Sequence, residues 1–127
     1  MATKTIPLSQ LEEAINAGLE KSIKQASIEC FTNIINNTPV DTGRLVGGYG
    51  INGGEYGVPS NQSSKIADVK EEINKLKVLD EEFTLDNDAP YAKYIEYGSA
   101  TNAPVGMIRR NEAEYESILS NAVKRNL

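Results

Sequence analysis

Apolar residues recur at multiples of four along the first third of the chain: Leu11, Ile15, Leu19, Ile23, Phe31 and Ile35, with Ala26 and Ile34 widening the stripe. That rhythm predicts an amphipathic helix over 8–36. Ser9 and Glu12 have the spacing of a capping box beside Pro7, and Asn36-Asn37-Thr38 closes the segment before Pro39. At 1.5 Å per residue such a helix extends roughly 40 Å, long for a chain of 127 residues. A helix lying across a sheet accommodates that length; alternatively, part of it projects or packs against a neighbour. Cys30 falls near the stripe and reads as a small core residue.

The pattern then changes. Thr38 to Leu45 is a turn signal leading into a short strand through Tyr49 and Ile51, and Asn52-Gly53-Gly54 reads as a hairpin turn. Glu55 to Val58 is the weak return strand, so 44–58 is expected to form a glycine-rich hairpin. Six glycines between Gly47 and Gly57 predict a mobile segment that orders when a partner supplies contacts. A helix follows over 64–77, with Ile66, Val69, Ile73 and Leu76 on one face and Glu71 paired with Lys75. Residues 81–98 are expected to be strand and turn: Phe83 and Leu85 share a strand face, Asn87 to Pro90 turns, and Tyr91 to Tyr97 fits a helical turn or a short strand. Ile108, Tyr115, Ile118, Leu119, Ala122 and Val123 mark a C-terminal amphipathic helix over 104–125. The order helix, hairpin, helix, strand, helix predicts a single α+β domain over 1–127 with a long N-terminal helix and a small antiparallel sheet.

Composition narrows the function. Thirteen Lys and Arg against 18 Asp and Glu leave a net charge of −5, which argues against neutralising nucleic-acid phosphates. There is no His, so the commonest metal ligand and general base are missing, and no cofactor is expected. A single cysteine excludes an internal disulfide and suits a reducing compartment. No apolar run approaches the roughly 20 residues that span a bilayer, and the N-terminus has no signal-peptide pattern; synthesis in the cytoplasm and no membrane contact are expected. Asp41-Thr42-Gly43 matches the tripeptide of aspartic proteases, and a homodimer could pair two copies of Asp41. Yet no hydrophobic strand precedes it and Arg44 follows, so a turn capped by Asp41 is the simpler reading. Glu71, Glu72, Asp80, Glu81 and Glu82 lack metal-ligand spacing and read as a solvated face. Arg109 and Arg110 open the C-terminal helix, where the dipole disfavours cations, and hint at an anionic partner. Tyr91, Tyr94 and Tyr97 fit either a protein interface or the core beneath that helix.

Three segments taken together carry a resemblance. Thr38-Pro39-Val40-Asp41-Thr42-Gly43-Arg44-Leu45 resembles the first block of the small tail-completion proteins of long-tailed bacteriophages, the minor tail protein Z type. The run from Asn87 through Ala89-Pro90-Tyr91-Ala92 to Tyr97-Gly98 is similar to its second block, and Ala103-Pro104-Val105-Gly106-Met107-Ile108-Arg109 to its third. The resemblance implies a non-enzymatic structural virion protein of the neck. Such a protein completes the tail and joins it to the head as a ring, most simply a hexamer. Its implied partners are the tail terminator or tail tube on one side and the head connector on the other, with DNA passing through the lumen. Six copies would carry roughly −30 in total, and an acidic lumen lets DNA slide without sticking. A tail terminator ring capping the tube is the alternative within the same class. Arg44, Tyr49, Tyr94, Tyr97, Met107, Arg109 and Arg110 are the candidate partner-interface residues.

Overall fold

Leu8–Asn36 forms one 29-residue helix, α1, in a computed structural model that describes residues 7–40, 42–54, 57–98 and 106–127. Pro7 opens it: its carbonyl accepts from the Gln10 and Leu11 amides at 3.0 and 3.1 Å. Ser9 therefore lies inside the first turn, and no side chain caps this end, which corrects the expected capping box. At the other end Thr38 Oγ1 donates to the Ile34 carbonyl at 2.8 Å, and Pro39 prevents continuation. The apolar stripe is used in two ways. From Gly18 onward the face holding Ser22, Ala26, Ser27 and Cys30 is buried. Every residue from Leu8 to Ala17 is exposed, including Leu8, Leu11 and Ile15. The first three turns thus project beyond the body, the second of the two arrangements the pattern allowed.

Helices, not a sheet, cover α1. Residues expected as one C-terminal helix form two, α5 (Met107–Glu112) and α6 (Tyr115–Asn126), separated by a turn at Ala113 and Glu114. α6 lies along α1, and small residues let the two approach closely. A Cβ on Gly18 would meet the Asn126 carbonyl oxygen at 2.8 Å. Ser22 Oγ donates to the Gly18 carbonyl at 2.7 Å, and Asn126 Nδ2 reaches Gln25 Oε1 at 2.9 Å. α3 (Gln62–Asn74) packs on α1 further along, starting two residues before the expected helix and ending three before it. Asn61 caps α3, its Oδ1 accepting from the Ser64 amide at 2.8 Å.

The glycine-rich region departs most from expectation. Arg44–Gly47 is a helical turn, α2, and Tyr49–Ile51 is strand β1. β1 pairs with β2 (Leu85–Asn87), antiparallel, in the register Tyr49 with Asn87, Gly50 with Asp86 and Ile51 with Leu85. The first strand's partner is therefore 36 positions away at Gly50, which pairs with Asp86, and not a neighbouring return strand, of which Glu55 and Tyr56 lie outside the described residues. Asn52 closes the end of the ladder, its amide donating to Thr84 O at 2.8 Å and its Oδ1 accepting from Thr84 N at 3.1 Å. At Gly43, Gly47, Gly48 and Gly54 glycine serves close approach, whereas nothing lies within 4 Å of a Cβ at Gly53 or Gly57. The backbone of Val58 to Ser60 crosses directly over Gly47, and Ser60 N donates to Gly43 O at 2.9 Å. Gly43 opens α2 at φ +81°, a left-handed conformation that a side chain would strain. A further short helix, α4 (Ala92–Tyr97), settles the stretch up to Tyr97 as helical. The result is an α+β fold with a two-stranded antiparallel sheet, as the element order predicts. Among the described residues no helix is long and apolar enough to cross a membrane.

The core joins Cys30, Ile34 and Ile35 of α1 to Leu45, Val46, Tyr49, Val69, Ile73 and Ala89. Tyr49 is fully buried, with its hydroxyl 2.9 Å from Thr38 Oγ1. Burial pushes its phenol above the usual 10.0, against the opposing hydrogen bonds of Thr38 and Asn87. The Cys30 thiol is raised from 9.0 by burial first, then by the negative charges of Glu112, Glu114 and Glu29. Both groups keep in the folded state protons that the unfolded chain gives up at lower pH. Their contribution is therefore complete below the ordinary thiol and phenol values and is lost as pH rises through the raised ones. The urea midpoint is expected to fall between pH 8 and pH 11, roughly the window of those two groups. Tyr49→Phe should flatten that fall; an unchanged slope would remove Tyr49 from the account.

Candidate functional site

The three segments singled out in the sequence, 38–45, 87–98 and the described end of 103–109, meet in space. Asn87, the last residue of β2, makes the first junction. Its Nδ2 donates to the Leu45 carbonyl at 2.7 Å, and its Oδ1 accepts from the Ala89 amide at 2.9 Å. One side chain thus ties α2 to the turn that leads into α4, a bond pattern that a short amide makes readily.

Glu96 makes the second junction. Gly106, at φ +68°, sits at the N-cap of α5 but has no side chain to offer the free amides. Glu96, buried on α4, supplies the missing acceptor: its Oε1 takes the Ile108 amide at 2.6 Å. A carboxylate at a helix N-terminus is favoured both by the charge-assisted bond and by the dipole. Between the first and second segments lies a groove of about 370 Å³, lined by Pro39, Arg44, Leu45, Tyr91 and Ile95 among others. Between the second and third lies a smaller one of about 250 Å³, with Asn87, Lys93, Glu96, Tyr97 and Ile108 on its walls.

The candidate residues distribute unevenly over this surface. Arg44 is exposed at the start of α2 and lines the first groove. Tyr97 is 66% exposed at the end of α4, where it can meet a partner. Tyr49 is a correction: it is fully buried, so it serves the core and not an interface. Tyr94 lies on α4, and Met107, Arg109 and Arg110 lie on α5, with side chains outside the described residues. Asp41 is also outside them; the adjoining Thr42-Gly43 leads into the helical turn α2. No family model matches the chain. No curated protein and no solved structure matches it either.

Two polar residues near the site went unnoticed in the sequence. Lys65 is buried within α3, and its Nζ donates to the Tyr49 carbonyl at 3.0 Å. Gln62 Nε2 reaches the carbonyls of Ile35, Asn36 and Thr38 at 3.3, 3.2 and 3.1 Å, closing the C-terminal end of α1. A polar residue at the start of an amphipathic helix gives no sign that it points inward. Of the acidic cluster, Glu71, Asp80, Glu81 and Glu82 are exposed, and Glu71 pairs with Lys75 at 3.2 Å with both side chains largely solvated. Among the described residues no group of three His, Cys, Asp or Glu is placed to hold a metal ion.

Proposed function

We propose that the chain is a structural protein of a bacteriophage neck, a ring subunit that completes the tail and joins it to the head. The observation supporting this reading is the convergence of the three segments that resemble tail-completion proteins. The first two are some forty residues apart along the chain, yet Asn87 ties them together across 42 positions, and Glu96 ties the second to the third, which follows it closely in sequence. That surface carries Arg44 and Tyr97 in the open, a charged and an aromatic side chain of the kinds enriched at protein interfaces. Its chemistry is recognition, with the tail terminator or tube on one side and the head connector on the other. The net charge of −5 per copy suits a lumen through which DNA passes without adhering.

A density map of the assembled particle tests the reading: the chain should form a ring at the top of the tail. A position directly on the last tube ring would instead favour a terminator, and absence from the particle would sink the neck reading. A substitution gives a second test. Tyr97→Ala removes a largely exposed side chain, so the variant should remain folded, with the circular dichroism of the parent, while tails accumulate unattached to heads. Normal attachment would take Tyr97 out of the interface.

A further inference from the structure

An apolar concavity of the described surface, with a volume of about 620 Å³, lies between α1, the segment before β2 and the α5–α6 corner. That is within the range of a binding cleft. Cys30, Phe31, Ile34, Phe83, Ile108 and Tyr115 form its walls. Phe83 meets Phe31 edge-on, with ring centroids 6.3 Å apart, and this contact holds the segment before β2 against α1. The described rim has one sign of charge: Glu81, Glu82, Glu112 and Glu116, all exposed, with no lysine or arginine among the described lining residues. Neither Glu112 nor Glu116 is in an ion pair among the described residues. The thiol of Cys30 feels this field, since Glu112 and Glu114 both disfavour its ionisation.

An apolar cleft that is open among the described residues and ringed by four carboxylates selects its occupant by charge. The projecting end of α1 from a second copy is a poor fit, because its apolar Leu8, Leu11 and Ile15 are accompanied by Glu12 and Glu13 with no basic residue before Lys21 in the described helix. We propose that the cleft between α1, α5 and residues 81–84 docks a cationic amphipathic segment of a partner protein. The partner's apolar side chains enter between Phe31 and Ile108, and its lysines or arginines meet the glutamate rim. This docking goes beyond the neck reading and does not depend on it, since it rests on the cleft alone.

A defined probe tests it. A fluorescent peptide of about 14 residues, enough for a helix to form on a surface, carries leucine and lysine at helical spacing; its counterpart carries glutamate for lysine. Titrated with the full chain, the lysine peptide should bind and the glutamate peptide should not. Glu112→Lys with Glu116→Lys should weaken binding by about tenfold or more. Lys21→Glu with Lys70→Glu, exposed positions outside the cleft, should leave it unchanged. Bound peptide should also slow alkylation of Cys30. Equal binding of both peptides, or no loss in the Glu112→Lys, Glu116→Lys variant, overturns the proposal. So does self-association of the chain that this variant abolishes, which would give the cleft to a second copy. All four positions are exposed, so circular dichroism of the variants should match that of the parent.

Discussion

Gly47→Ala is expected to destabilise the chain by about 3 kcal/mol, the upper part of the range for forcing an atom into a packed interior. The new methyl group would point straight at the Val58 carbonyl oxygen, with Ser60 N only 3.2 Å away. Those are backbone atoms, so no side chain can swing aside to make room. The crossing segment is also pinned, because Ser60 N donates to Gly43 O at 2.9 Å. Relief would require lifting residues 58–60 off α2, the helical turn that carries Leu45 and Val46 into the core. A domain stability of some 5–15 kcal/mol leaves little reserve for such a loss. Urea or thermal unfolding measures it, and a variant as stable as the parent would show that the crossing is not tight in solution.

Glu96→Ala is expected to cost about 2–3 kcal/mol and to disconnect α5 from α4. The carboxylate is buried and is the side-chain acceptor for the Ile108 amide, so its removal leaves a helix N-terminus without its partner. Glu96→Gln keeps an acceptor in the same place while giving up the charge, and should recover roughly half of the loss. The two variants separate structure from function. If the neck reading holds, Glu96→Ala should leave tails unjoined at temperatures where the protein is still folded, because Arg109 and Arg110 travel with α5. Unchanged stability in Glu96→Ala would mean that another group holds α5.

Much of the fold is legible from periodicity, for physical reasons. A 29-residue helix with a sustained apolar stripe and a proline at each end leaves few alternatives. The Glu71–Lys75 pair forms as spaced because an (i, i+4) contact depends only on helix geometry. Strand pairing was not legible. Asn52-Gly53-Gly54 carries a strong local turn signal, but Asn52 instead bonds to Thr84, across the sheet. Local chemistry cannot report a partner that distant. The glycines are ambiguous for a related reason: the same absence of a side chain permits either freedom or close packing, and at Gly47 the crossing chain decides for packing. At the site, Arg44 and Tyr97 are exposed as a partner surface requires, whereas the core claims Tyr49. An aromatic residue in a short strand reads alike in both settings. Asn87 and Glu96, which tie the site together, stood in the resembling segments, yet their joining role depends on contacts that sequence spacing does not encode.

The pairing of the first helix with the last has a consequence for how the protein is made. Asn126 meets Gln25 across 101 positions of sequence. At about 5–20 residues per second, a ribosome needs on the order of 5 to 20 seconds to synthesise the intervening chain. Through that interval Ser22, Ala26 and their neighbours have no α6 to lie against, so α1 waits as a helix with its inner face open. Folding therefore cannot be completed from the N-terminus onward, and a nascent chain interrupted before α6 emerges is the form most exposed to capture by chaperones or by other nascent chains.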